Sequence, residues 1–489
     1  MDFMEPSSFA FWFGTVVFVG TYALIASEKV HKTVAALLGA VLMMLVILPG
    51  PGHRGEESAP PPPPPATVRE TPAGGSLAAL ERNLSHANTP ALRDADRYSR
   101  LDTFSRYSNF DVVFTLAGMM LLVNLLSGTG LFQYVAIKCA KLAKGLPIRT
   151  MILLVLATAF LSAFLDNVTT ILLVAPVTLL VCTELGVQPI PFLMAETMAS
   201  NIGGTATLIG DPPNLIIGSI ANLNFMAFLV NLAPFITIIM VIYCIFLWAY
   251  YSRRMHVTVE KRALIMEIDE NAAIADRGNL IRGGVVMILT IIGFLLHGAV
   301  GIQPCVVAMG GATLALCICR VNVDHALEKI EWSTLFFFMA LFILVCGAEY
   351  CGLMAKIGGL LNLMEGWPVP VVILLIMWVS ALAAAIMNNV SFTAAMVTVV
   401  AGFISANPAF NSNPLCRDLL WWGLALAVCL GGNASLVGAA ANLVTVGIAG
   451  KNGHQVTFGQ FLVYGIPVTV GSMMLASIYI LVRYYAFCF

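Results

Sequence analysis

Charge is absent from most of this chain, and that absence constrains its fold more than any other feature. Between Arg149 and Arg253 there is no Lys, Arg or His, although Asp166, Glu184, Glu196 and Asp211 lie in that stretch. About half of all the charged residues crowd into two segments, 50–108 and 251–282, and the rest of the 489-residue chain is nearly bare. With 59% hydrophobic and only 10% charged residues, the chain lacks the polar side chains that would cover the core of a soluble protein of this size. A soluble multi-domain enzyme is therefore excluded. The expected class is an all-α polytopic membrane protein, because helices satisfy their own backbone polar groups in lipid.

A full crossing needs about 20 apolar residues. Simple spans are expected at 7–26, 33–49, 110–128, 225–250, 281–299, 302–319, 333–351 and 459–482. The apolar blocks 148–222 and 369–450 are interrupted by polar, Gly-rich breaks, which brings the total to about 10–12 membrane segments. The first span follows Asp2 and Glu5, with no basic residue or clear cleavage site before it, so a removed signal peptide is not expected. The 11 cysteines lie mostly in apolar stretches, and only Cys317 and Cys319 are close together. They read as small apolar fillers. A net charge of −1 gives no reason to expect a nucleic-acid partner. No P-loop follows the glycine-rich segments, so ATP-driven transport by this chain is not expected.

Residues 50–108 form an insert that contains Pro60 through Pro65. A proline run cannot build helix or sheet ladders, so a disordered spacer is expected, with a ligand for proline-binding domains as the alternative. Its sequon, Asn83-Leu84-Ser85, is usable only on a lumenal or extracellular loop.

The chain also repeats itself. At an offset of about 222 residues, Gly130-Leu131 recurs as Gly352-Leu353, and Asp166-Asn167-Val168 as Asn388-Asn389-Val390. At an offset of about 228, Gly203, Gly204, Ala206, Leu208, Gly210, Asn214 and Leu215 recur as Gly431, Gly432, Ala434, Leu436, Gly438, Asn442 and Leu443. Repeats with matched breaks inside membrane segments point to a transporter. Loop 131–149 carries Lys138, Lys141, Lys144 and Arg149, whereas its counterpart 353–368 carries only Lys356 and Glu365. Basic loops stay cytoplasmic, so the repeats are expected to be inverted. The 251–280 linker is then cytoplasmic, and both termini and the insert lie outside. The expected organisation is two spans in 1–49, the insert at 50–108, and the rest of repeat 1 at 109–250. Repeat 2 runs over 281–489. Hairpins are expected at 148–184 and 369–405, and broken helices at 189–222 and 417–450.

A carboxylate in a bilayer costs at least about 2.5–3.5 kcal/mol. With no nearby base, it must be protonated, paired from a distant segment, or bound to a cation. Glu184, beside Gly186, reads as an interfacial residue. The motif LDNVTT (165–170) has apolar flanks long enough to place it at a mid-membrane hairpin tip, where Asp166, Asn167 and Thr169 offer oxygen ligands to a hard cation. Its copy MNNVSF (387–392) offers Asn388, Asn389 and Ser391 and is neutral. Helix capping is the alternative for both tips. In SNIGGTATLIGDPPN (200–214), Gly203, Gly204 and Gly210 let a helix unwind and Pro212-Pro213 prevent it from continuing. Asn201, Thr205, Asp211 and Asn214 surround that break. The second break has Gly431, Gly432, Asn433, Ser435 and Asn442, with no acid and no proline. Close helix packing is the alternative for the glycines. Repeat 1 reads as the charged half of a site and repeat 2 as its polar half. A Na⁺ ion, if bound, is expected at Asp166, Asn167 and Asp211.

LSAFLDNVTTILLVAPV, SNIGGTATLIGDPPN, IEWSTLFF and CLGGNASLVGAAAN are ordered and spaced as in a known group. Through them the chain resembles the arsenite-efflux and sodium–proton antiporter permeases (ArsB/NhaD-type, citrate transporter-like) of the ion transporter superfamily, its P-protein branch most of all. The resemblance starts near 21–42, skips the insert and runs from about Phe110 to the C-terminus. It implies a homodimer with scaffold and transport parts, re-entrant hairpins of opposite orientation, and elevator-like alternating access. It also implies hairpin tips at Asp166-Asn167 and Asn388-Asn389 and unwound helices at Asn201–Asn214 and Gly431–Asn442. P-protein-like sequences carry Asp where this chain has Asn388, which puts coupling stoichiometry in question.

The expected function is ion-coupled secondary transport of a small inorganic or carboxylate anion, with Na⁺ or H⁺ as coupling ion and no cofactor. A Na⁺/H⁺ antiporter without an anion substrate and an anion channel on the same fold are the alternatives. The absence of intramembrane Lys or Arg favours the antiporter over a tight multivalent-anion site. An enzyme is not expected, because only His297 stands as a core base. The chain is expected in the plasma membrane or an endomembrane.

Overall fold

The computed structural model describes residues 8–27, 30–47, 109–255, 257–267, 269–319, 321–361, 364 and 366–487. The insert, with its proline run and Asn83, lies outside the described residues. Every regular element among the described residues is helical, and ten helices are long and apolar enough to cross a membrane.

Helices α1 (Ser8–Ser27) and α2 (Lys32–Val46) precede the insert. After it come α3 (Phe110–Ser127), α4 (Leu131–Leu142) and a helical pair, α5 (Pro147–Ser162) and α6 (Asn167–Leu185). The pair's ends follow local chemistry. Pro147 sits in the first turn of α5, where its missing N–H is harmless. Asp166 caps α6, and Gly186 ends it in the left-handed conformation at φ 65°. The first broken helix is α7 (Ile190–Gly204) followed by α8 (Pro212–Ala221). The expected single span at 225–250 is instead a short α9 (Phe225–Asn231) and a crossing helix α10 (Ala233–Tyr251). Pro234 in the first turn of α10 supplies no N–H to the preceding turn. Helices α8 and α9 bend by 113° where they join.

Linker helix α11 (Val259–Glu267) and a 3₁₀ turn (Glu270–Ala273) lead to α12 (Arg277–Val300), α13 (Pro304–Cys319) and the short α14 (Val323–Glu328). Repeat 2 continues through α15 (Trp332–Tyr350), α16 (Leu353–Leu361) and the pair α17 (Val369–Ile386) and α18 (Asn389–Ala406). A short α19 (Pro408–Asn411) precedes the second broken helix, α20 (Pro414–Gly431) and α21 (Ala440–Lys451). The chain closes on α22 (Phe458–Phe487).

The repeats interlock. Helix α2 packs on α15 of the other repeat, and α13 packs on α3. The far halves of the broken helices also cross over, so that α8 lies on α18 and α21 on α6. Small residues permit the crossings: a Cβ on Gly118 would sit 2.6 Å from the Ala308 backbone, and one on Gly347 would sit 2.7 Å from Met43 Sδ.

The linker is folded onto the body. Ile265 is buried with Ala140, Val181 and Leu185. The Glu270 carboxylate takes Lys138 at 3.0 Å and also Lys141, and Ala275 N–H donates to Thr129 O at 3.0 Å.

Candidate functional site

Both hairpin tips are helix caps. The Asp166 carboxylate accepts from Val168 N–H at 2.8 Å and Thr169 N–H at 3.2 Å, and also from the Thr169 hydroxyl. Asn388 accepts from Val390 N–H at 3.1 Å. Behind the first tip, buried Asn167 accepts from Ser162 Oγ at 2.5 Å, and that hydroxyl lies 3.0 Å from Ser200 Oγ. Behind the second, Asn389 N–H donates to Gly438 O at 2.9 Å and so joins tip to break.

The two breaks are built alike, residue by residue. Asn214 Nδ2 donates to Thr207 O at 2.8 Å and also faces Gly204 O and Thr205 O. Its counterpart Asn442 donates to Gly432 O at 2.8 Å and Ser435 O at 2.7 Å. The Thr207 hydroxyl reaches Ala163 O and accepts from Gly210 N–H, and the Ser435 hydroxyl reaches Ala385 O and accepts from Gly438 N–H. In this way two side chains in each repeat hold the opened backbone together where no helix ladder can. The glycines pack: a Cβ on Gly203 would meet Ala159 O at 2.2 Å, one on Gly204 would meet Asn167 Oδ1 at 2.4 Å, and one on Gly431 would meet the Ala381 backbone at 2.7 Å. Gly432 is looser, with Gly438 O at 3.2 Å from such an atom.

The two breaks meet at three asparagines. Asn201 Nδ2 donates to Asn433 Oδ1 at 2.8 Å and to Asn442 Oδ1 at 3.0 Å. The repeat-related contact is Cys429 Sγ to Asn214 Oδ1 at 3.4 Å. Thr205 is turned away, its hydroxyl donating to Asn201 O at 2.8 Å. Asn201 Oδ1, Asn433 Nδ2 and Ser391 Oγ are buried without a partner, which leaves polar capacity at the crossing for a bound species.

Asp211 is the deepest acid of the cluster, 2% exposed. It precedes α8 but makes no side-chain cap bond, and its Oδ2 has no hydrogen-bond partner. Its polar neighbours are Cys429, Asn167 and Asn389, and it lies within electrostatic reach of Asp166. Thus the first tip, the second tip and both breaks converge on one carboxyl. No three His, Cys, Asp or Glu side chains among the described residues are placed to hold a metal ion. A cation at Asp166, Asn167 and Asp211 would therefore draw on amide and backbone oxygens as well as carboxylates.

Three unequal spaces lie around the tips and breaks. Asp166 and Thr169, with Thr115 and Leu215, line a space of about 10 Å³, room for one water or one small ion. A polar vestibule of about 290 Å³ shares Thr115 and Leu215 with it and is lined by Asp111, Ser219, Asn222 and His297. On the other side, Asn388 and Ser391 line a cavity of about 240 Å³ with Tyr22, His31, Lys32 and Ala440. The Tyr22 hydroxyl donates to Ser391 O at 2.8 Å and anchors that wall.

Lys32 and Glu331 are the residues that sequence reading missed. Lys32 interacts electrostatically with Glu331 and Asp166, and Glu331 with Asp166. The absence of a base in the membrane blocks therefore does not extend to the site, because α2 brings one from the first spans. Signals for both were present. A lysine in the first turn of a helix opposes the macrodipole and needs another reason to be there. Glu331 lies in IEWSTLFF, a motif already quoted for its spacing.

Comparison with known proteins bears on the family and the fold. A family model described as citrate transporter (CitMHS) matches residues 22–427. An uncharacterized transporter of Mycobacterium tuberculosis (strain ATCC 25618 / H37Rv) is 37% identical over 469 residues, which cover 96% of this chain and 97% of that protein. The P protein of Sus scrofa is 30% identical over 546 residues, covering 96% of this chain and 59% of that longer protein. Among solved structures, the Alcanivorax borkumensis YdaH transporter aligns with a TM-score of 0.54 and 14% identity over 99% of each chain, a likeness of fold alone.

Proposed function

The chain belongs to the citrate transporter family and is a multi-pass membrane secondary transporter, and within that class we propose ion-coupled movement of a small carboxylate or oxyanion by elevator-type alternating access. The coupling ion is Na⁺ or H⁺, taken at Asp211 and Asp166. The anion is taken at the second tip and break, where Asn388, Ser391, Asn433 and Ser435 offer neutral donors. The start of α21 adds uncapped backbone N–H groups, and Lys32 adds a positive charge. The hairpins and broken helices would travel as one part against the rest of a homodimer.

The observation that carries this reading is the unpartnered Asp211 oxygen at the convergence of both repeats. A buried acceptor without a donor costs about 1–3 kcal/mol or more when charged, and a bound cation or proton removes that cost. The test is uptake of labelled citrate and phosphate into liposomes under imposed Na⁺ and pH gradients. Wild type is expected to respond to at least one gradient, and Asp211→Asn to lose that response. Uptake indifferent to both gradients would sink the coupling claim.

One observation favours a second reading, Na⁺/H⁺ exchange with no anion. Around the first tip, Asp166, Asp211 and Glu331 stand against one base, Lys32. Sodium-driven proton movement that persists with no organic or oxyanion substrate present would select it.

A further inference from the structure

Glu196 is used by nothing described so far. It lies on α7, 1% exposed, one and a half turns before Asn201, or about 7.5 Å along the helix. Among the described residues its only side-chain hydrogen-bond partner is Thr178 on α6, whose Oγ1 lies 2.8 Å from one carboxyl oxygen and 2.9 Å from the other. None of the ion pairs among the described residues includes it. The titratable groups that feel its charge are Cys139 on α4, Cys182 on α6 and Tyr243 on α10. No Lys, Arg or His acts on it from any element packed against α7.

Geometry bears on its state. A hydroxyl carries one hydrogen, so Thr178 can serve both short contacts fully only if the carboxyl brings a hydrogen of its own. A buried carboxylate with no base costs several kcal/mol, and protonation removes that cost. A sodium ion would need several oxygen ligands, and the one side-chain oxygen hydrogen-bonded to the carboxyl is that of Thr178.

The internal repeat supplies a control. The positions matching Glu196 and Thr178 in repeat 2 are Leu424 and Val400, both fully buried. The fold therefore closes this helix contact with an apolar pair in one repeat and an acid–hydroxyl pair in the other. Packing alone does not call for the acid.

We propose that Glu196 is a proton-binding site, protonated in this conformation, whose bond to Thr178 latches the first broken helix to the first hairpin and links transport to pH. Loss of the proton breaks the carboxyl O–H bond, releases H⁺ to water and leaves a carboxylate that α6 and α7 no longer shield in place. The adjoining Thr197–Thr445 hydroxyl contact, 2.6 Å, joins this part of α7 to α21 of the other repeat. The direct role rests on the residues alone, and only the flux readout rests on the transport reading.

The test uses the full chain with Glu196→Gln and the double variant Glu196→Leu with Thr178→Val, which copies repeat 2. Difference infrared spectroscopy is expected to show a protonated-carboxyl carbonyl band in wild type that is lost in Glu196→Gln. Labelled citrate uptake in liposomes is expected to show a weakened dependence on lumenal pH in both variants, while the coupling carried by Asp211 and Asp166 persists. A band unchanged by Glu196→Gln, or an unaltered pH dependence in the folded double variant, would overturn the proposal. If wild type takes up no citrate, the carboxylate reading fails and the infrared band still decides Glu196.

Discussion

Asp166 and Asp211 are the same chemical group in different positions. Both oxygens of Asp166 are engaged in capping α6, so its first contribution is local order, worth about 0.5–2 kcal/mol. Asn388 caps the matching helix with an amide, which shows that Asn can do that job. Asp166→Asn is therefore expected to fold with a thermal midpoint near wild type while Na⁺ or proton dependence of uptake weakens. A large fall in midpoint with coupling intact would make the carboxylate structural. Asn201→Ala acts otherwise. It removes the donor shared by Asn433 and Asn442 and is expected to cost about 1–3 kcal/mol, read as a lowered midpoint in detergent. At this scale the motif residues were legible because asparagine, glycine and aspartate are conspicuous inside apolar sequence. Lys32 is easily passed over, because at the edge of a span it resembles an interfacial lysine, and its place against the macrodipole is the one local sign of it.

The helices are set by punctuation that can be read locally, and their packing is not. Pro147, Gly186, Pro212-Pro213 and Gly203-Gly204 mark the ends that the structure shows. Which glycine touches backbone is a tertiary matter. A methyl on Gly203 would overlap Ala159 O, whereas one on Gly402 would meet nothing within 4 Å. Gly203→Ala is expected to destabilise by about 1–3 kcal/mol and Gly402→Ala to leave the midpoint unchanged. Comparison of the two by thermal unfolding checks this. The folded linker escaped sequence reading because its anchors are ordinary charges. Lys141 and Lys138 hold the Glu270 carboxyl well below its ordinary 4.5, at about 2. A depressed carboxyl contributes its docking energy in full above about pH 4.5, and loses it as pH falls towards 2. Glu270→Gln is expected to raise hydrogen exchange across 259–273 at neutral pH, to the level the wild type reaches only in acid. Unchanged exchange would show that Ile265 alone docks the linker.

Across the whole molecule, the interlocked repeats put the two tips against separate spaces, about 10 Å³ and 240 Å³. Under the inverted topology, the Lys32 cavity faces the cytoplasm and the Asn222 vestibule faces outside. Cysteines placed at His31, exposed at the mouth of the Lys32 cavity, and at Asn222 are then expected to react with an impermeant thiol reagent from opposite sides of sealed vesicles. Labelling of both from one side would reverse or collapse that orientation. Asn388→Asp gives the second tip the acid that Asp166 gives the first and is expected to raise the number of cations moved per substrate, measured from reversal potentials.

By itself the sequence determined the membrane class, the repeat, and the places where helices open. Those depend on hydrophobicity, on proline and glycine, and on short-range periodicity, all of which act within a few residues. Only the tertiary structure decided which polar groups share a site. Asn201 meets Asn433 from 232 residues away, Lys32 comes within electrostatic range of Asp166, and Glu196 finds a hydroxyl instead of a base. Such pairings depend on how two inverted halves cross, and no local pattern records the crossing.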